Sequence, residues 1–156
     1  VNGVSKAYSM TGWRIGYLGA GPNLVKAISD IQDHSTSNPN SIAQKAAVAA
    51  LAAGDDFTRN MCQEFQKRRD YTLERLNKIK LDCVKPQGAF YVFCDISRFG
   101  MGSVKFAERL LNEMFVALIP GVGFGRDDYV RISFAASIQQ LEKGMDRLEE
   151  WLLGKL

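Results

Sequence analysis

Lys6 and Arg14 stand eight residues apart in the opening stretch VNGVSKAYSMTGWRIGYLGAG, residues 1–21. The lysine follows a short apolar run, small residues and glycine come next, and the arginine lies inside a second apolar run. That order predicts a strand, a loop and a strand, with an amine and a guanidinium able to address one anionic ligand. An amine condenses with an aldehyde to a Schiff base. A permanently charged, forked guanidinium donates paired hydrogen bonds to a phosphate. The pair therefore suits an aldehyde that also carries a phosphate, and pyridoxal phosphate is a cofactor of that kind.

A third candidate is Arg131, in Tyr129-Val130-Arg131-Ile132-Ser133-Phe134. Alternation along a strand points its side chain away from those of Val130 and Ile132, so these two can pack in a core while Arg131 faces a cleft.

Ser5-Lys6 followed by Thr11-Gly12-Trp13-Arg14-Ile15-Gly16-Tyr17 resembles the fold-type I pyridoxal phosphate-dependent aminotransferases, near their aspartate and aromatic (class I/II) group. Pro86-Gln87-Gly88-Ala89-Phe90-Tyr91, the loop Pro120-Gly121-Val122-Gly123-Phe124-Gly125 and the Arg131 strand follow in the family's order. The resemblance implies that Lys6 is catalytic, holding the cofactor and then moving a proton. It implies that Arg14 anchors the cofactor phosphate and Arg131 the substrate α-carboxylate. It further implies α-amino acid and 2-oxo acid substrates, and a homodimer with residues 35–41 near the partner's site. In relatives, the aspartate that pairs with the pyridine nitrogen and the asparagine and tyrosine near the ring oxygen precede the lysine. The chain opens on Val1 inside the motif, so it is read as the C-terminal part of an aminotransferase that transfers no amino groups at a useful rate by itself. Ser5, adjacent to the lysine, could reach the phosphate, although many relatives carry their phosphate-binding serine three residues before the lysine, where this chain has Gly3. Two alternatives share the scaffold: a non-catalytic ligand-binding or assembly module, and a β-eliminating lyase.

Other candidates carry less. Gly121, Gly123 and Gly125 lack dinucleotide spacing and precede a strand, and Gly16, Gly19 and Gly21 lack the GxGxxG order. His34, beside Asp33 and Ser35, suits a helix end better than a general base. Tyr8, Trp13 and Tyr17 could line a cofactor pocket, but aromatic residues flanking a strand more often pack in a core.

The 156 residues are 46% hydrophobic and 24% charged with a net charge of +3, a globular composition whose mixed charges do not point to nucleic acid. Lys67-Arg68-Arg69 ends at Asp70 and reads as a solvated helix face. Cys62, Cys83 and Cys94 are odd in number and lack CxxC spacing, supporting neither a disulfide framework nor a zinc site. No apolar run approaches the roughly 20 residues that span a bilayer, and a cytoplasmic setting is expected.

The expected fold class is α/β. Residues 1–79 are read as the C-terminal portion of a large cofactor-binding domain, and 80–156 as a small α+β domain. In the first part, strands are expected over Val1–Val4 and Trp13–Ala20. Helices follow over about Pro22–Asp33, over the alanine-rich Ile42–Ala53 with Asn40 or Ser41 as cap, and from Asp55 or Asp56 through a long linking helix of about 25 residues, roughly 37 Å. In the second part, strands are expected at Ala89–Ile96, Val116–Ile119 and Tyr129–Phe134. One helix is expected to be capped by Ser103, and a last helix by a Ser137–Gln140 capping box, with Ile138, Leu141, Met145, Leu148 and Leu152 inward.

Overall fold

A computed structural model describes residues 1–154. The chain divides into two compact units, Val1–Cys62 and Gln63–Leu156.

In the first unit, β1 (Asn2–Gly3) and β2 (Gly16–Tyr17) form an antiparallel ladder with Gly3 opposite Gly16. Both strands are shorter than expected. Trp13 belongs to a 3-10 turn, Thr11–Trp13, and not to a strand. Two helices follow, α1 (Pro22–Ser35) and α2 (Ser41–Ala52). Pro22 opens α1, where its missing N–H costs nothing. Asn40 caps α2, its side-chain oxygen accepting from Ala43 N at 3.0 Å. The loop between β1 and β2 buries Val4 and Met10 against Ala47. Alanine at 46, 47 and 50 is what permits that approach, since a longer side chain would hold the loop off the helix. Leu24, Ile31, Ile42 and Val48 of this unit are exposed, and α1 has no buried residue.

Helix α3 (Asp56–Lys78) begins where Asp55–Asp56 led one to expect. The division between units falls inside it, whereas the change in sequence character lies near Lys80. Packing explains the earlier position: Leu76 is fully buried in the second unit's core, with Phe65 and Leu73 against it.

The second unit carries an antiparallel sheet of order β3-β5-β4, made of β3 (Tyr91–Asp95), β4 (Ile119–Pro120) and β5 (Tyr129–Ser133). Val92, Cys94, Val130 and Ile132 form its inner face. They share a core with Phe106 and Leu110 of α4 (Ser103–Met114) and with Leu141, Met145, Leu148, Trp151 and Leu152 of α5 (Ile138–Leu153). Ser137 caps α5 as its pattern predicts, through Gln140 N at 3.4 Å. Ser103 does not cap α4; it is that helix's first residue. Asp127 does so from another loop, its Oδ1 accepting from Ser103 N at 2.9 Å and Ser103 Oγ at 2.8 Å.

Candidate active site

Lys6 and Arg14 lie on one loop, closed at its base by the Gly3–Gly16 pairing. Thr11 ties it across the middle, its hydroxyl donating to the Ser5 carbonyl at 3.0 Å. Two further backbone bonds tighten the turn that holds the lysine: Tyr8 N donates to Val4 O and Ser9 N to Lys6 O, at 3.2 and 3.3 Å. With Val4 and Met10 buried beneath, the loop's backbone is fixed while Lys6 is exposed. Ser9 and Arg14 adopt left-handed backbone conformations, φ 54° and 51°, which non-glycine residues seldom take and which are common where a site imposes them.

Arg14 follows the 3-10 turn directly. Its Nη1 donates to the Thr11 carbonyl at 3.1 Å, so the guanidinium is folded back over its own loop. No acidic side chain among the described residues pairs with it. Trp13 and Tyr17 flank it at 45% and 44% exposure, outside any core, while Tyr8 stacks on Phe57 with centroids 6.4 Å apart. His34 is exposed in the last turn of α1.

In the second unit, Arg131 lies on the sheet face opposite Val130 and Ile132, as alternation requires. Register sets Phe93 beside it, and Tyr91 shares the same face. The guanidinium carbon is 4.8 Å from the centroids of both Tyr91 and Phe124. Phe124 meets Phe93 edge-on at 6.0 Å, and Phe93 stacks on Tyr129 at 4.9 Å. Ring faces stabilise the cation without occupying the N–H groups at its edge. No carboxylate among the described residues pairs with Arg131. Tyr91, Phe124 and Thr11 are the residues that sequence reasoning did not single out. Tyr91 could have been found by applying strand alternation to both partners of the sheet. Phe124 and Thr11 reach their places from short 3-10 turns that carry no such period.

Among the described residues no group of three metal-ligating side chains is assembled, and no helix is long and apolar enough to cross a membrane.

A loop that presents a lysine and an arginine, a strand arginine backed by aromatic rings, and helices around small antiparallel sheets define a mixed α/β protein. Residues 1–148 match the family described as aminotransferase class I and II, and the chain belongs to that family. It is 48% identical over 160 residues to a probable aspartate/prephenate aminotransferase of Rickettsia prowazekii, covering 96% of this chain and 40% of that protein. A probable N-acetyl-LL-diaminopimelate aminotransferase of Bacillus subtilis is 46% identical over 157 residues, again with 40% of its length covered. Among solved structures, the aspartate aminotransferase of Thermotoga maritima superposes with a TM-score of 0.88 at 44% identity, over 97% of this chain and 39% of that one. The aromatic aminotransferase of Pyrococcus horikoshii gives 0.88 at 38% identity, over 98% and 42%. The chain thus spans about 40% of the length of the curated relatives it matches.

Proposed function

We propose that this chain forms the lysine-bearing and C-terminal part of a pyridoxal phosphate-dependent aminotransferase that moves an amino group between an α-amino acid and a 2-oxo acid. The observation that carries the reading is that one closed, tied-down loop presents both Lys6 and Arg14, within a chain that matches the family over residues 1–148. The donor set fits the cofactor: an exposed amine for the aldehyde, and a guanidinium without a carboxylate partner for the phosphate. When bound, pyridoxal phosphate supplies the aldehyde and an electron-withdrawing ring.

The chain's own residues have three tasks in this reading. Lys6 would hold the aldehyde until a substrate amine replaces it, and would then move a proton between the substrate α-carbon and the cofactor carbon that carried the aldehyde. Arg14 fixes the phosphate so that the ring cannot drift from the amine. Arg131 binds the substrate carboxylate through its unoccupied N–H edge, while Tyr91 and Phe124 hold the plane of the fork. Residues 1–79 serve the cofactor-binding domain and 80–156 the small domain. The active assembly is a homodimer working in the cytoplasm.

The test is a coupled assay on the polypeptide that carries this chain, with an α-amino acid as donor and a 2-oxo acid as acceptor. Amino transfer is expected, and Arg131→Ala is expected to raise the amino acid KM by about 10- to 100-fold, the loss of one charge-assisted paired contact. Keto acid formation that requires no acceptor would assign a β-elimination instead. Transfer with an unchanged KM in the variant would remove Arg131 from the site.

A further inference from the structure

Cys83 and Cys94 are eleven positions apart in sequence with no motif linking them, yet the fold sets them directly opposite each other. They form an isolated antiparallel bridge between the segment that follows α3 and strand β3. Asp95 N donates to Asp82 O at 2.8 Å. That bond joins the residues flanking the pair, which makes Cys83 and Cys94 a non-hydrogen-bonded antiparallel pair. In such pairs the Cα atoms are about 4.5 Å apart and the side chains project to the same face. A disulfide needs Cα atoms about 4.4–6.8 Å apart, so rotation of two side chains is enough to close one here.

The two thiols also differ in access. Cys94 is fully buried in the core of the second unit. Cys83 is half-buried and lines an open groove of about 510 Å³ along α3, beside Asp82 and Lys85. The opposed Cys83 thiol, aided by burial, pushes Cys94 well above its ordinary value, while the Cys94 thiol draws Cys83 below its own. The reachable sulfur is therefore also the one that ionises first, the property an attacking thiol needs.

We propose that Cys83 and Cys94 are a reversible dithiol–disulfide site, closed by small disulfides that enter from the α3 groove. The Cys83 thiolate attacks one sulfur of glutathione disulfide; that S–S bond breaks and one glutathione thiolate leaves. Cys94 gives up its proton, its sulfur attacks the Cys83 sulfur of the mixed disulfide, and the second glutathione departs. The protein dithiol is oxidised by two electrons, and glutathione disulfide is reduced to two glutathiones. The product staples the Asp82–Val84 segment to the outer edge of β3. Cys62, exposed on α3, has no opposed thiol and takes no part.

The experiment treats the 156-residue chain, carrying Cys62→Ser to silence that thiol, with excess glutathione disulfide, and follows intact mass and a peptide map without reduction. The expected result is a mass lower by two hydrogen atoms, a peptide joining Cys83 to Cys94, and full reversal by dithiothreitol. In Cys94→Ser a retained glutathione on Cys83 is expected, because the resolving thiol is gone. Should that variant not fold, the map of the Cys62→Ser protein decides alone. Two unreacted thiols, a stable glutathione adduct with Cys94 still present, or disulfides only between chains would overturn the assignment.

Discussion

Arg126 and Arg131 lie five residues apart and have opposite electrostatic surroundings. Both Nε and Nη2 of Arg126 are taken by Asp128, at 2.8 and 2.7 Å. That pairing raises the guanidinium above its ordinary value and holds the Asp128 carboxyl below its own. Arg126 also lies over a ring, that of Tyr129 at 4.1 Å, whereas Arg131 lies over two rings with no carboxylate partner among the described residues and keeps its N–H edge for a ligand. A sequence contains both arginines without saying which is already paired; only the strand phase of Arg131 was readable. Asp95, at the end of the same sheet, gives a pH prediction. Hydrogen bonds from the Ser97 side chain and backbone, the latter at 2.7 Å, hold its carboxyl below the ordinary carboxylate range. Because the folded value is the lower one, the stabilisation is complete above the unfolded value of about 3.9. It is lost as pH falls through the folded value. An NMR titration should find the Asp95 carboxyl below the ordinary aspartate value of about 3.9, and Asp95→Asn should flatten the acid limb of the stability curve. A midpoint at or above that ordinary value would refute this.

At the scale of elements, the segment from Pro120 to Gly125 reads in sequence as a glycine-rich loop, and two of its glycines prove unequal. A Cβ at Gly121 would come within 2.3 Å of the carbonyl oxygens of Arg126 and Tyr129, both backbone atoms that cannot rotate away. A Cβ at Gly123 would meet nothing within 4 Å. Gly121→Ala is therefore expected to destabilise the fold by about 1–3 kcal/mol or more, whereas Gly123→Ala should be near neutral in denaturant melts. Equal midpoints for the two variants would contradict the packing described. The same contrast runs through the fold. Helix periods, the Asn40 and Ser137 caps and the alternation of β5 were legible because each is set by neighbours in sequence. Asp127 capping α4, Thr11 tying down Ser5 and Cys83 opposing Cys94 were not, because each joins segments that only the tertiary fold brings together. The strand expected over Trp13–Ala20 shrank to Gly16–Tyr17 for a related reason. Its aromatic residues suit a strand, but Thr11–Trp13 turns tightly and Arg14 closes that turn in a left-handed conformation.

For the whole molecule, the two compact units bury their side chains unequally. Among the described residues the second holds fifteen buried residues in one cluster, from Leu76 to Leu152, while the buried cluster of the first is Val4, Met10 and Ala47. Hydrophobic burial is the dominant source of stability, so local opening should be far less costly in the first unit. Hydrogen exchange on this chain is expected to protect β3, β5 and α5 by orders of magnitude more than α1 and α2. Uniform protection would count against the contrast. The family match and the paired Lys6–Arg14 loop lead to one central claim, that the lysine at position 6 is the amine that takes the cofactor aldehyde. The most direct measurement is to incubate the polypeptide carrying this chain with pyridoxal phosphate, reduce with borohydride and map the modified peptide. The account predicts the pyridoxyl group on Lys6 and its disappearance in Lys6→Ala. Label on another lysine with Lys6 untouched, or undiminished labelling of the variant, would contradict it.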